Sequence, residues 1–225
     1  MEREFYKYPS TPHLAVLHGV SIRSDKVLSE REREIFLSHS LIVEEKIDGA
    51  NLCIYFDRIG SIQLLNRSYH LREPFSGQWG KLTHWLSEKV NILFDILGDE
   101  RVLFGEWCYA RHSVTYDRLP DWFIAFDVFD KSAERFWSVS KRNELLMQSS
   151  ISHVPEIGRG LFNLFELEQL LSQSRFSKEP AEGLYLRYDE NDWLVDRVKL
   201  VRPAFIQSIK KHWSRSQIQP NQLAV

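Results

Sequence analysis

The stretch Glu44-Glu45-Lys46-Ile47-Asp48-Gly49-Ala50-Asn51 puts an amine, a carboxylate and a glycine in close succession. On an extended chain Lys46 and Asp48 point the same way. An amine held there can attack an electrophile once it is unprotonated, and Gly49 would let backbone come close to a ligand. Taken alone, the string is just as well an exposed ion pair at a strand end. Its weight depends on what else the chain brings to it. Cys108 and His112 have the Cys-x3-His spacing of half a zinc site, but no second pair completes four ligands. His13 beside Pro12 reads as structural.

The elements that must position these residues follow from periodicity. Residues 1–28 read as irregular or short elements, broken by Pro9 and Pro12. Ser29 and Glu32 have capping-box spacing, which predicts a short helix over 30–38. Leu41 to Lys46 reads as a strand. Leu52, Ile54 and Phe56 share one face of the next, and after a turn at 58–61 the chain returns over 62–66. Trp79, Leu82, Trp85, Leu86, Val90, Leu93, Phe94 and Leu97 keep three-and-four spacing and predict a helix over 79–97 stopped by Gly98. Trp79 and Trp85 are core by this reading. Residues 101–108 and 122–130 read as strands. A helix follows Ser140, and another covers 165–174 with Asn163 as its cap. Residues 183–189 and 193–201 form a hairpin around 190–192. Pro203 opens a helix carrying Phe205, Ile206, Ile209 and Trp213, and the tail from Ser214 reads as loose. Strands and helices without regular alternation predict an α+β fold with mainly antiparallel sheets.

Composition narrows the function classes. Lys and Arg number 29 against 31 Asp and Glu, a net charge of −2, so the chain does not coat nucleic acid by bulk basicity. A local basic groove remains open. With 225 residues, 43% of them hydrophobic, the chain can bury a full core without disulfides or structural metal. Two cysteines, no apolar leader and no apolar run long enough to span a bilayer point to a soluble, cytoplasmic protein.

The lysine motif has companions. KxDG is the nucleophile motif of the covalent nucleotidyltransferases, and further segments resemble that superfamily's other motifs in order. These are Leu65-Asn66-Arg67-Ser68, read on the strand that follows, then Phe104-Gly105-Glu106-Trp107 and Ile124-Ala125-Phe126-Asp127-Val128. Ala181-Glu182-Gly183-Leu184 and Arg197-Val198-Lys199-Leu200 complete the series. Within the superfamily the chain resembles the ATP-dependent RNA ligases. The local wording is carried by Thr11-Pro12-His13-Leu14, residues 105–113, residues 119–123 and Lys199-Leu200-Val201-Arg202-Pro203. The resemblance runs from residue 9 to about residue 213. It implies a single nucleotidyltransferase domain over 1–225, without an attached OB domain.

The resemblance further implies that Lys46 attacks the α-phosphorus of ATP, that AMP passes from the lysine to an RNA 5′-phosphate, and that a 3′-hydroxyl displaces it. Catalysis would rest on Lys46, Asp48, Lys199 and Arg197, the last standing where many relatives have lysine. The nucleotide would be bound by Arg67, Glu106, Phe126, Glu182 and Lys199, with Glu44 or Glu45 reading the adenine amino group. Mg2+ (or Mn2+) would sit on Glu182 and Asp48. A free lysine titrates near 10.4, so attack near neutral pH asks for a depression of about 3 units, ~4 kcal/mol. Burial plus the charges of Lys199, Arg197 and the metal are the expected sources. Arg111, His112 and Tyr116 suit phosphate or RNA binding and packing about equally. Lys210, Lys211 and His212 read as a solvated helix face ahead of a phosphate-backbone contact. The partners implied are RNA ends, aligned by a duplex or at a nick. The alternatives are another nucleotidyltransferase, of capping or DNA ligase type, and a non-catalytic nucleotide- or RNA-binding module.

Overall fold

The computed structural model describes residues 5–17, 26–172, 174–208 and 218–224. Along the chain, α1 (Glu30–Leu37) leads into β1 (Leu41–Lys46), β2 (Ala50–Phe56) and β3 (Ile62–Leu65). A 3-10 turn (Gly77–Trp79) and α2 (Leu82–Leu97) precede β4 (Arg101–Trp107), β5 (Phe123–Asp130) and β6 (Arg135–Phe136). Then come α3 (Val139–Gln148), β7 (Glu156–Gly160), α4 (Leu164–Leu170), β8 (Gly183–Glu190), β9 (Trp193–Val201) and α5 (Pro203–Ser208). The strands form two sheets, in the orders β7-β1-β8-β9 and β3-β2-β4-β5-β6. Every neighbouring pair is antiparallel, so the fold is α+β with antiparallel sheets, as the sequence predicts.

Strand alternation decides which side chains line the space between the sheets. In the four-stranded sheet, Leu41, Val43, Leu184, Leu186, Val198 and Leu200 are buried on the side of α1 and α4, against Phe36 and Leu167. The opposite parity then presents Glu44, Lys46, Tyr185, Arg187, Arg197 and Lys199 to the second sheet. In that sheet Leu52, Ile54, Phe56, Leu103 and Trp107 pack outward against Leu82, Trp85, Leu93 and Leu97 of α2. Cys53, Tyr55, Phe104 and Phe126 face inward. Each sheet therefore buries an apolar face under helices and turns its chemically mixed face to the other.

The local signals act where they are strong. Ser29 and Glu32 form a reciprocal capping box on α1, and Asn163 and Glu166 form another on α4. Gly98 ends α2 with φ 51°. The predicted helix over 79–97 starts late. Gly77 turns the chain at φ 61°, Trp79 closes a 3-10 turn, and α2 begins only at Leu82. Trp79 and Trp85 are buried all the same. The helix expected over 165–174 ends at Leu170. Arg67 lies beyond the end of β3, in a turn where Asn66 Oδ1 accepts the backbone N–H groups of Ser68 and Tyr69. Pro203 does open α5, with Phe205 buried, while Ile209, Lys210, Lys211, His212 and Trp213 lie outside the described residues.

The tail is not loose over 218–224. The Arg111 N–H donates to the Gln219 carbonyl (2.8 Å), the Gln222 N–H to that of Tyr116 (2.9 Å), and the Ala224 N–H to that of Leu119 (2.8 Å). A polar segment stays ordered here because another polar loop answers its backbone groups one by one. Among the described residues no helix is long and apolar enough to cross a membrane.

Candidate active site

Lys46 ends β1 at the mouth of the space between the sheets. Its Nζ donates to both oxygens of Glu182, at 2.7 and 2.8 Å. Register places Lys46 across from Gly183, the residue after Glu182. A Cβ on Gly183 would stand 2.4 Å from the Leu200 carbonyl oxygen, so β8 approaches β9 this closely only with glycine there. Burial pulls the Lys46 pKa down, but the Glu182 carboxylate that accepts its hydrogen bonds, helped by nearby Tyr185 and Glu106, outweighs it and holds the amine above the ordinary lysine range. The expected depression is therefore not found on Lys46. It is found on Lys199, where burial and the charge of Lys46 bring the pKa to about 8.

Asp48 is buried and works on the neighbouring loop. Its Oδ2 accepts the backbone N–H groups of Ser113 (2.7 Å) and Val114 (2.9 Å), and its own N–H donates to the Tyr116 hydroxyl (2.7 Å). His112 Nδ1 stands 4.0 Å from Asp48 Oδ1. Gly49 lines the cavity in front of Lys46 and also packs closely on β4. A Cβ there would meet the Trp107 carbonyl oxygen at 2.9 Å and Cys108 Sγ at 3.0 Å, so the glycine lets the turn pack on β4. Cys108 and Tyr116 are buried in that same packing.

A cavity of about 480 Å³ opens in front of Lys46, lined also by Asp48, Asn51, Arg67, Glu106 and Glu182. Glu106 pairs across strands with Asn51. Burial and the charges of Glu182 and Asp48 push its carboxyl up to about 8 against the pull of Lys46, and its Oε2 is buried with no hydrogen-bond partner. Burial likewise lifts Glu182 to about 7. His13 pairs with Lys199 through backbone, and burial and that lysine's charge bring its imidazole to about 4.

Beside the cavity lies a flat slot. The Phe126 and Tyr185 rings are 11° from parallel with centroids 6.4 Å apart. That is close to twice the ~3.5 Å contact distance of stacked carbon layers. Tyr8 meets Phe126 edge-on, with centroids 4.9 Å apart, and the remaining free volume is about 10 Å³. A β-bulge makes the slot possible. Phe104 pairs with Asp127 but Gly105 with Ala125, so Phe126 is the extra residue. Ala125 and Val128 pack outward, leaving Phe126 and Asp127, consecutive in sequence, both turned inward.

Behind the slot sits a buried ionic cluster. Asp127 accepts from Arg187 Nη1 (2.5 Å), Arg197 Nη1 (2.7 Å) and the Tyr8 hydroxyl. Burial raises its pKa, but the three guanidiniums of Arg187, Arg197 and Arg142 prevail and hold it below the ordinary value. Arg142 of α3 donates to Glu44 and to the Phe126 carbonyl.

Lys46, Asp48, Arg67, Glu106 and Glu182 thus line one cavity, Lys199 lies near enough to feel the charges of Lys46, Glu182 and Arg67, and Phe126 lines the adjoining slot. Arg197 lines neither. Its guanidinium is bound to Asp127 and lies over the rings of Tyr8 and Phe136, so it is part of the cluster. Glu44 and Glu45 both line the slot, the Glu44 carboxylate bonded to Arg142 and the Glu45 carboxylate to the Ser174 hydroxyl and the Arg175 N–H. The sequence reading missed Tyr185, Tyr8 and Asp127. The alternation of β8 carries a signal for Tyr185, which shares the parity of Arg187 against buried Leu184 and Leu186. No periodicity reveals Asp127, because the bulge breaks it.

The arrangement suits nucleotide chemistry: a flat slot, a lysine at its edge, and carboxylates and cations around a cavity of phosphate size. A family model described as RNA ligase matches residues 39–201. Among curated proteins, no sequence matches the chain. Among solved structures, one of Naegleria gruberi RNA ligase with PPi is similar at 17% identity and TM-score 0.61, covering 92% of this chain and 65% of that one. A point mutant of a Naegleria gruberi RNA ligase with ATP and Mn is similar at 18% identity and TM-score 0.59, covering 80% and 54%. Another, with AMP and Mn, is similar at 19% identity and TM-score 0.59, with the same coverage. The chain spans about half the length of these last two relatives.

Proposed function

Because the chain belongs to the RNA ligase family, we propose that it is an ATP-dependent RNA ligase whose covalent intermediate is Lys46–AMP. Residues 1–225 then act as one nucleotidyltransferase unit. The observation that carries the reading is the Lys46–Glu182 pair at the edge of the Phe126–Tyr185 slot. The Phe126 and Tyr185 rings would have to part to admit an adenine between them, which would then direct its α-phosphate toward the cavity that Lys46 lines. In the first step the Lys46 Nζ–P bond forms and the bond to pyrophosphate breaks, after the amine has given up its proton. AMP then moves to an RNA 5′-phosphate, and a 3′-hydroxyl displaces it. Lys199 and Arg67 would balance phosphate charge as it shifts.

The residues present fit a divalent cation. Glu106 Oε2 is a buried acceptor with no partner, in a cavity it shares with Glu182 and Asp48. Among the described residues no three acidic, histidine or cysteine side chains converge on one point. Mg2+ or Mn2+ needs only one or two carboxylates when phosphate oxygens and water complete its shell. Glu182 would hold it, with the remaining oxygen of Asp48 nearby. When bound, such an ion supplies positive charge to the phosphates and draws on the carboxylate that keeps Lys46 protonated. The sealing partners are RNA ends brought together by a duplex, as at a nick. Free, buried Cys53 and Cys108 accord with a cytoplasmic setting.

The test is intact mass after incubation with ATP and Mg2+ or Mn2+, followed by peptide mapping. An AMP adduct on Lys46, absent from Lys46→Ala, is expected. AMP on another lysine, or no adduct at all, overturns the reading.

A further inference from the structure

The loop that holds Asp48 is itself held by one residue far along the chain. Asn221 is buried, with 3% of its surface exposed, although the segment around it is polar. Its side chain faces two ways. Oδ1 accepts the Tyr116 backbone N–H at 2.9 Å, and Nδ2 donates to the Cys108 carbonyl at 2.8 Å. Its own backbone N–H donates to the Tyr109 carbonyl at 2.9 Å. Three bonds from one residue thus pin both the start of the loop, at 108–109, and its middle, at Tyr116. On the inner side of the same loop, Tyr116 receives the Asp48 N–H, and Ser113 and Val114 donate to the Asp48 carboxylate. Asp48 is two residues from Lys46, and Gly49 between them and β4 leaves the turn no slack.

We propose that Asn221 is a positioning residue for Lys46, setting the loop 108–116 against which the lysine turn is registered. The inference rests on the Lys46 reading for its functional consequence and on geometry alone for its mechanical one. Asn221 touches neither the cavity nor Lys46, so its loss should act on the alignment of the amine and not on the fit of the nucleotide. Small misplacements of a reacting group cost on the order of 10- to 100-fold in rate. The two arms of the amide can be separated. Asn221→Asp keeps the acceptor for Tyr116 N–H and loses the donor to Cys108, while Asn221→Ala loses both.

The experiment compares Asn221→Ala, Asn221→Asp and the control Gln222→Ala, whose bonds to Tyr116 and Leu119 run through backbone. Two quantities are read: single-turnover adenylation across ATP concentrations, and hydrogen exchange of peptides covering residues 46–50 and 109–119. Asn221→Ala is expected to lower the rate at saturating ATP by roughly 10-fold or more with little change in the ATP concentration for half-maximal rate. Exchange should rise at 113–116 and at Asp48. Asn221→Asp should recover part of the rate, and Gln222→Ala should match the parent. Unchanged exchange at 113–116 in Asn221→Ala overturns the mechanical link. Raised exchange with an unchanged adenylation rate overturns the positioning role. A parent chain that never adenylates, with exchange behaving as expected, would instead sink the Lys46 reading and leave the clasp standing.

Discussion

Lys46 and Glu182 hold each other in a state that is not yet reactive. The amine is protonated and bonded to both carboxylate oxygens, and its pKa lies above the ordinary lysine value because nearby negative charge outweighs burial. A group whose pKa is raised keeps its proton until the pH climbs through the raised value. The unprotonated fraction, and with it the adenylation rate, therefore grows with pH. At limiting divalent cation, single-turnover adenylation should climb about tenfold per pH unit with no plateau below roughly pH 9. Saturating cation, by engaging Glu182, should move the whole profile toward lower pH. Single-turnover rates at the two cation levels across that range check this. A plateau near neutral pH at limiting cation would mean that Lys46 is already depressed without help, as the motif alone suggests.

At the scale of elements, the informative position is the turn between β1 and β2. If Gly49 served ligand approach alone, a methyl group there would weaken ATP binding and leave the unliganded protein unchanged. The space is instead filled by the Trp107 carbonyl, Cys108 Sγ and Glu106 Cβ at 2.9–3.0 Å, and a carbonyl in a central strand cannot step aside. Gly49→Ala should destabilise the chain by about 1–3 kcal/mol, seen as a fall of several degrees in melting temperature without ligand. A normal melt with weakened ATP binding would restore the ligand-approach reading. Much of this architecture is legible in the sequence. Period two in 52–56, the strand readings of 41–46, 183–189 and 193–201, the capping box at Ser29, the cap at Asn163 and the stop at Gly98 all mark real elements. What escapes has a physical cause in each case. β7 is Glu-Ile-Gly-Arg-Gly, which has no alternation to read, and β6 is two residues long. Arg197 has the right parity for the cavity, but its guanidinium is captured by Asp127, a partner seventy positions away that the bulge turns inward. Carboxylates and guanidiniums choose partners by tertiary geometry, so residue type and spacing gather the candidates for a site without saying which are free.

Over the whole molecule, the site is shared between the sheets. Lys46, Tyr185 and Lys199 come from one, and Phe126 and Glu106 from the other. With a net charge of −2 these 225 residues exert no long-range pull on RNA. Sealing by these 225 residues alone should therefore be better at a nick in a duplex than on free single strands, and should weaken with added salt while adenylation stays steady. Joining assays on both substrates over a salt series measure it. Rapid joining of free strands, indifferent to salt, would show that the chain grips both ends itself. The cluster that joins the sheets has a bearing on substitution. Tyr8, Asp127, Arg187 and Arg197 each satisfy a charge or hydroxyl of another, and losing one partner of a buried pair costs about 3–5 kcal/mol. In this chain the Arg197 guanidinium lies over the Tyr8 and Phe136 rings while bonded to Asp127, a set of contacts that a lysine would not reproduce with the same partners. A change at any one of these four positions should therefore be tolerated best when a compensating change at its partner accompanies it.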